Sequence, residues 1–369
     1  MSSIVVVGGG IVGFLNAYEL AKNGLDVTLV RDSTSIKSNE ILPVKEPFDN
    51  IFREFKQTFE PSYEFLKWGT RQIFNHFNLP KNRILLKKLA QRSMKIYEEL
   101  GVKVSKNGTL SLFSDEKHFQ KYLENLKTND ASEAIFSLTQ NRDSLGLFSD
   151  FNGHCILNMD DCTIDVKRLI EILEKELFNM GVKVFDDELV SVEFDADKVS
   201  HMVFKGASFE ADEFMLCDFN ETAIYKMGLS FGVKKSRLYK ISFLSQNLPE
   251  YPLFFVREGL SIIAEGENVK IYALGNEKSS VNEILNRVRD FTSTKELREL
   301  NMSFRDVVVG SKLPIFGRDS VYENLIFCFG FGAFELSSAA SVAEILGKVV
   351  GNGLLNEQSD EILLYSGIL

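Results

Sequence analysis

The sequence contains few of the residues that build disulfide-stabilised or metal-bound proteins. Its 369 residues include four Cys and four His, and no two Cys have the CxxC spacing. Disulfide scaffolds and zinc sites need clustered thiols or imidazoles. The sequence therefore predicts neither a disulfide framework nor a metal site.

Positive charge and long apolar runs are also scarce. The 42 Lys and Arg residues are outnumbered by 52 Asp and Glu residues, which gives a net charge of −10 at pH 7. Because nucleic-acid binding depends on clustered cations that neutralise phosphates, we expect no nucleic-acid partner. The apolar stretch near the C-terminus is interrupted by Glu335 and Glu344, which argues against a membrane-spanning helix. Since no secretory signal pattern follows Met1, the sequence predicts a cytoplasmic protein, and peripheral contact with a membrane stays open.

Phenylalanine, by contrast, is present in excess. There are 31 Phe residues against one Trp and 10 Tyr residues, which predicts an ample apolar core and leaves room for an apolar pocket. The length is too great for one simple core. It suits two domains, or one large α/β unit with an insertion.

The first 30 residues have the pattern of a complete βαβ unit. Ile4–Val7 and Val27–Val30 are short apolar runs typical of buried parallel strands. Between them, Gly8-Gly9-Gly10-Ile11-Val12-Gly13 gives GxGxxG at the first turn, followed by apolar residues at helical spacing. This combination predicts a dinucleotide-binding site.

Each glycine of the motif has a physical task in such a site. Gly8 permits the tight turn out of the strand, Gly10 lets a pyrophosphate approach the backbone, and Gly13 lets the helix pack close to the strand. The predicted helix starts with Ile11 and Val12. Its first N–H groups and the positive end of its dipole then face the phosphates.

Arg31 departs from the pattern of these units. Their second strand usually ends in Asp or Glu, which holds the ribose hydroxyls. Here Arg31 takes that position and Asp32 follows it. Two interpretations stay open at this point: Arg31 binds the 2′-phosphate of NADP, or Asp32 holds the ribose after a shift of one residue.

The rest of the chain alternates between helical and strand patterns without a low-complexity linker or an internal repeat. Apolar spacing predicts helices at 62–77, 82–100, 165–180, 283–291 and 337–350. Alternation predicts strands at 190–194, 199–204 and 213–217, an antiparallel sheet from 237–244, 261–264 and 269–274, and a last strand at 325–329. We therefore expect two interleaved domains.

Taken in order, these segments resemble the D-amino acid oxidase superfamily of FAD-dependent amine oxidoreductases, and in layout its D-amino acid dehydrogenases and glycine and sarcosine oxidases. The matching segments are Val5–Gly13, Gly108-Thr109-Leu110, 165–184, Arg237-Leu238-Tyr239, 313–317 and 324–336. The resemblance implies an α/β fold in which an FAD-binding Rossmann-like domain (1–45, 150–225 and 318–369) is interleaved with an antiparallel-sheet α+β substrate domain (46–149 and 226–317).

The resemblance also implies an activity. The expected reaction oxidises the C–N bond of a small amino acid or secondary amine to an imine by hydride transfer to flavin N5, with dioxygen, a quinone or an electron carrier as acceptor. Alternatives stay open: a non-catalytic or weakly active flavin-binding subunit of a heteromeric dehydrogenase, an FAD enzyme for another small biosynthetic intermediate, and an NADP-binding reductase, which rests on Arg31 alone. A homo-oligomer and a hetero-oligomer are both compatible with the sequence.

The cofactor site implied by the resemblance draws on several segments, with the Val190 backbone at the adenine. Arg31, Cys217-Asp218-Phe219 and Glu335 stand where the superfamily uses an acid, a small Ala/Gly turn and a glycine. The full set is Gly8, Gly10, Ile11, Val12, Gly13, Arg31, Asp32, Val190, Cys217, Gly330, Gly332, Ala333, Phe334, Glu335 and Leu336.

Three residues are the catalytic candidates. Arg305 is expected to bind a substrate carboxylate through its guanidinium fork, with Arg237 and Arg257 as alternates. Lys270 resembles the sarcosine-oxidase lysine that faces flavin N5 and helps activate dioxygen. Tyr239 is expected to offer its hydroxyl to the substrate, as is Tyr272, although both residue types also pack in cores.

Overall fold

The computed structural model describes residues 2–31, 41–44, 79–126, 133–136, 141–218, 220–256, 258–275, 282–284, 286, 298–309, 314–332 and 335–352. The predicted helix at 62–77 and most of the one at 283–291 lie outside these residues. So do Asp32, Phe219, Arg257, Ala333 and Phe334, and Arg305 is described through its backbone alone.

Twenty strands and six α-helices occur within the described residues. The strands are β1 Ser3–Val7, β2 Asp26–Arg31, β3 Ile41–Val44, β4 Val104–Ser105, β5 Thr109–Phe113, β6 Glu133–Phe136, β7 His154–Asn158, β8 Cys162–Asp165, β9 Lys183–Asp186, β10 Leu189–Asp195, β11 Lys198–Phe204, β12 Ser208–Phe209, β13 Glu213–Leu216, β14 Lys234–Leu244, β15 Leu253–Phe255, β16 Leu260–Glu265, β17 Asn268–Gly275, β18 Arg298–Val309, β19 Ile315–Arg318 and β20 Leu325–Phe329. The helices are α1 Ile11–Lys22, α2 Leu79–Glu99, α3 Glu116–Leu126, α4 Val166–Asn179, α5 Glu221–Lys226 and α6 Glu335–Asn352, with a 3₁₀ helix at Arg142–Phe148.

A six-stranded sheet carries the amino-terminal motif. Its order is β19-β20-β13-β1-β2-β9, parallel except for the edge strand β19. The carboxyl ends of β1, β2, β13 and β20 therefore meet at one edge, the usual place for ligands in open α/β sheets. Strands from three separate stretches of the chain build this sheet.

Apolar side chains cover both faces of the six-stranded sheet. One face packs against α1, α2, α4 and α6 through residues such as Phe14, Leu169 and Ala343. The other packs against α5 and the three-stranded sheet β10-β11-β12 through residues such as Phe214 and Met202. The result is a three-layer arrangement with β1 near its middle.

Small residues allow α6 to approach α1 closely. A Cβ atom on Gly347 would lie 3.0 Å from Glu19 Cβ, and one on Gly351 would lie 2.7 Å from Asn23 Cβ. Arg92 links α2 to α6, because its guanidinium donates to both carboxylate oxygens of Glu344 at 2.8 Å. These contacts fix the helices that support the nucleotide motif.

A second, eight-stranded sheet has the order β18-β14-β17-β16-β15-β5-β7-β6. It is antiparallel except where β15 pairs with β5. One face forms an apolar cluster with the 3₁₀ helix, including Phe148, Phe243, Phe255 and Ile271. Strand β3 contacts both β16 of this sheet and α6, and so joins the two parts of the molecule.

The observed elements follow the sequence patterns closely where these are strongest. The helix predicted at 165–180 is α4, whose first turn is capped by the Asp165 carboxylate accepting from Arg168 N–H at 3.0 Å. The helix predicted at 337–350 is α6, and the one predicted at 82–100 is α2. The chain passes between the two large sheets several times, as an interleaved arrangement requires, and the domain boundaries stay a prediction. Within the described residues, no helix is both long and apolar enough to cross a bilayer.

Candidate functional site

The glycine-rich loop makes the turn that its sequence predicts. Gly8 has a φ of +142°, which side chains disfavour, and its N–H donates to Val30 O at 2.9 Å. A Cβ atom on Gly13 would lie only 1.9 Å from Gly8 O. Gly13 therefore permits the direct packing of α1 on the end of β1.

The N-terminus of α1 is open to an anionic ligand. Its N-cap residue Gly10 makes no side-chain capping bond, and the first turn holds no acidic residue. The first N–H groups of a helix have no partner within it, so those of Ile11, Val12 and Gly13 can serve a phosphate. A Cβ atom on Gly10 would have Glu335 Oε1 as its nearest neighbour, at 3.8 Å, which leaves space over the backbone.

Two carboxylates flank this loop. Asp218 is an exposed residue, and its Oδ2 accepts a hydrogen bond from Gly9 N–H at 3.2 Å. Glu335 begins α6 and directs its carboxylate towards Gly10. The loop thus combines the positive end of a helix with two negative side chains of the same chain.

Cys217, which directly follows β13, and Cys328, near the end of the neighbouring strand β20, are buried, free thiols beneath the loop. Burial raises the pKa of the Cys217 thiol well above its usual range, and a hydrogen bond with Cys328 adds to the effect. Asn16 Nδ2 donates to Cys328 Sγ at 3.3 Å and to Val12 O at 2.8 Å, which ties the first turn of α1 to β20. A buried thiol with a raised pKa is a poor nucleophile, so Cys217 acts here as a small packing residue.

Arg31 is held by protein carboxylates. Its Nε donates to Asp186 at 2.6 Å and its Nη1 to Glu174 at 2.9 Å, and its guanidinium lies 5.6 Å from the centre of the Phe14 ring. Two carboxylates compensate its charge, so this arrangement gives Arg31 a role in joining β2, β9 and α4. It disfavours the interpretation in which Arg31 binds a 2′-phosphate.

Val190 lies in an irregular part of an edge strand. The β10–β11 register shifts between Leu189 and Ser191, which leaves Val190 without a partner residue in the ladder. Its side chain is 44% exposed. A bulge frees backbone groups from regular pairing, and the contact to an adenine expected of Val190 stays a prediction.

The carboxy-terminal loop adopts backbone conformations that favour glycine. Gly330 has a φ of +79° and Gly332 a φ of +56°. The side chain of Phe331 between them is buried in the core rather than lying over the loop. Leu336 is also buried, and its carbonyl accepts from Tyr97 Oη at 2.7 Å. This bond fixes the first turn of α6, which follows the loop.

Lys270 is buried on β17 rather than exposed to solvent. It pairs with the Glu265 carboxylate, and its register partners are Ser242 on β14 and Ile263 on β16. Tyr272 follows two residues later and shares its face of the sheet. This face also bears a buried polar network in which Asn158 Nδ2 donates to Ser111 Oγ at 2.9 Å.

Tyr239 lies on the opposite face of the sheet. It is buried in the apolar cluster with Ile241, and its ring centre is 6.0 Å from that of Phe304. Arg237, two residues earlier, places its guanidinium 4.2 Å from the Phe304 ring centre. The structure therefore separates Tyr239 and Arg237 from Lys270, and brings Tyr272 to Lys270 instead.

Arg305 lies on the edge strand β18, where its backbone pairs with Leu238 of β14. The sequence patterns missed three features. Two lie on the eight-stranded sheet, namely the Lys270–Glu265 pair and the network around Asn158, and the third is the bond of Asp218 to the glycine-rich loop. The Gly108-Thr109-Leu110 signature pointed to the strand that carries part of the network, because Thr109 Oγ1 bonds to the buried Asp161 carboxylate.

The fold is similar to that of solved amino acid oxidases and dehydrogenases. Glycine oxidase from Bacillus cereus superposes with a TM-score of 0.71 at 13% identity, covering 98% of both chains. L-Proline dehydrogenase from P. horikoshii gives 0.69 at 14% identity, covering 98% of this chain and 96% of its own. At these identities the likeness shows the fold, and it confirms the predicted fold class.

Sequence comparison finds particular relatives within that class. A D-amino acid dehydrogenase of Helicobacter pylori is 22% identical over an alignment of 406 positions that covers 98% of each chain. One of Vibrio atlanticus is 20% identical, covering 98% of this chain and 99% of its own. No protein-family model matches the chain. The resemblance to the D-amino acid oxidase superfamily is confirmed by these matches together with the fold.

Proposed function

We propose that this protein is an FAD-dependent oxidoreductase that oxidises the C–N bond of a small amino acid or amine to an imine. The observation that carries the proposal is the uncapped N-terminus of α1 with open space over Gly10. It occurs in a chain that matches D-amino acid dehydrogenases along almost all of both lengths. The enzyme class expected from the sequence agrees with these relatives.

The residues present fit FAD in three places. The amides of Ile11, Val12 and Gly13 would hold its diphosphate, the backbone of Val190 its adenine, and the loop from Gly330 to Leu336 its ring system. When bound, FAD supplies a two-electron acceptor for the substrate hydride. The tight turns at Gly8, Gly330 and Gly332 are positions where any other residue would strain the backbone.

In this reaction the cofactor accepts the hydride, so the protein needs fewer catalytic side chains than a hydrolase does. It must bind the substrate close to the cofactor, keep its amine neutral and exclude water. The buried sheet face that bears Lys270 and Tyr272 supplies polar groups, and Arg305 on β18 is our candidate for the substrate carboxylate. The names of the relatives make D-amino acids the first substrate class to test.

We infer a dehydrogenase rather than an oxidase. A lysine that promotes the reaction of reduced flavin with dioxygen must present a positive charge. Here the Glu265 carboxylate compensates the charge of Lys270. Electrons would then pass to a quinone or another carrier rather than directly to dioxygen.

The proposal is tested first by the absorption spectrum of the purified protein, with and without added FAD. Flavin bands that stay with the protein through gel filtration support it, whereas a colourless protein that FAD cannot reconstitute contradicts it. D-alanine, D-proline, glycine and sarcosine are then added without oxygen, with L-alanine and L-proline as matched controls. Bleaching by the D-enantiomers but not their L-counterparts is the expected result.

The same experiment separates the alternatives. Bound flavin that none of these compounds bleaches would support a non-catalytic flavin-binding subunit, or an enzyme for a different small intermediate. The rate at which the bleached protein is reoxidised by dioxygen is then compared with its rate of reoxidation by a soluble quinone analogue. Fast reoxidation by dioxygen alone would contradict the inferred dehydrogenase.

A further inference from the structure

Asp218 lies where the glycine-rich loop would meet the negative charge of a dinucleotide. Its Oδ2 accepts from Gly9 N–H at 3.2 Å. The same oxygen is 2.9 Å from the position that a Cβ atom on Gly8 would take. The carboxylate therefore lies against the loop itself, just before the first residue of α1.

Strand register places Asp218 there. β13 runs parallel to β1 with Leu216 opposite Val7, and Cys217 N–H donates to Val7 O at 2.8 Å. Asp218, the second residue after β13, is thus level with the start of the loop, and its side chain contacts Gly8 and Gly9. Because it is aspartate, it brings a carboxylate into a region where helix N–H groups attract anions.

Glu335 brings a second negative charge to the same loop. Its Oε1 lies 3.8 Å from the Cβ position of Gly10, on the side where a ligand would approach the backbone. Asp218 and Glu335 come from different parts of the sheet edge, one after β13 and one at the start of α6. A diphosphate on the first turn of α1 would add its own negative charges to these two.

We propose that Asp218 is an internal competitor of the dinucleotide diphosphate. Its carboxylate occupies Gly9 N–H and repels a diphosphate held by the first turn of α1. The chain therefore binds FAD more weakly than a variant that is neutral at this position. This inference rests on the proposed function, because it concerns the same FAD site.

The negative charge of the Asp218 side chain, rather than its shape, is expected to weaken FAD binding. Asparagine at position 218 keeps an oxygen that can accept from Gly9 N–H, so Asp218→Asn removes the charge alone. Repulsion between partly solvated charges a few ångströms apart changes a binding constant by a factor of about ten. Dissolved salt screens such repulsion, so the difference between the two proteins shrinks as ionic strength rises.

The test compares wild type, Asp218→Asn and Asp150→Asn after removal of bound flavin. Asp150 is an exposed residue that follows the 3₁₀ helix beside the eight-stranded sheet. Its substitution removes the same charge away from the glycine-rich loop. FAD is titrated by fluorescence quenching and ADP by calorimetry, at low and high salt. Asp218→Asn should lower both dissociation constants about tenfold at low salt and by less at high salt, while Asp150→Asn should leave both unchanged.

The outcomes separate this inference from the proposed function. Equal or weaker binding of FAD and ADP by a folded Asp218→Asn protein would overturn the inference, although wild type would still bind FAD. Failure of every protein to bind either ligand would overturn both. Asp218→Ser provides a second neutral variant, and a thermal melt of each protein shows whether it is folded.

Discussion

Lys270 and Tyr272 share one buried face of the eight-stranded sheet, and Tyr239 lies on the other. Tyr239→Phe should therefore change kcat/KM by less than about twofold, since it removes a hydroxyl from the apolar side of the sheet. Tyr272→Phe should lower kcat/KM about tenfold or more, because its hydroxyl lies on the polar side. Steady-state kinetics with the best D-amino acid checks both, and the reverse order would contradict the placement of the substrate site.

Glu265 is expected to suppress the reaction of the reduced protein with dioxygen. Glu265→Gln removes the negative charge that pairs with Lys270, so the rate of flavin reoxidation by dioxygen should rise severalfold. The double variant Glu265→Gln with Lys270→Met is the control, and it should return to the wild-type rate. Stopped-flow reoxidation measures the effect, and an unchanged rate in the single variant would argue against the charge as the cause.

Gly10 and Gly13 should respond differently to the same substitution. Gly13→Ala places a methyl group 1.9 Å from Gly8 O, so it should lower the free energy of unfolding by about 3 kcal/mol or more. Gly10→Ala meets no atom closer than 3.8 Å, so it should leave the melting temperature nearly unchanged and weaken FAD binding. Thermal melts and FAD titrations distinguish the two, and equal loss of stability would contradict the geometry.

Glu344 should make the stability of the protein sensitive to acid. Hydrogen bonds from Arg92 lower its pKa from 4.5 to about 2. A carboxyl group with a lowered pKa in the folded state stabilises the protein above its unfolded pKa. That contribution is lost as the pH falls from about 4.5 to about 2.

Glu344→Gln is the variant that reveals this contribution. Its melting temperature should lie below that of wild type at neutral pH, and the difference should narrow between pH 5 and pH 2. Glu171→Gln, which removes a carboxylate from an exposed pair on α4, should instead follow wild type throughout. A constant difference between wild type and Glu344→Gln across this range would contradict the assigned cause.

The sequence predicted those parts of the structure that depend on local patterns. The GxGxxG turn from Gly8 to Gly13 and the amphipathic helices α4 and α6 follow from spacing within one segment, because backbone strain and burial act locally there. The order of segments was enough to reveal the resemblance to a superfamily, and hence the fold class.

Features that depend on pairing between distant segments were not accessible in this way. The partners of Arg31 are Glu174 and Asp186, on elements that the βαβ pattern does not include. Alternation within one strand shows which residues share a face, but not which face is the core. For that reason, Tyr239 and Lys270 could be proposed together although the sheet separates them.

The contact of α1 with α6 has a consequence for the order in which the protein matures. The glycine-rich loop and α1 precede α6, the helix that packs against α1, by most of the described chain. Contacts between such distant segments form late, because a long loop must close before they are made. The nucleotide-binding edge is therefore complete only after α6 has been synthesised, and binding of a dinucleotide should follow the synthesis of α6 rather than precede it.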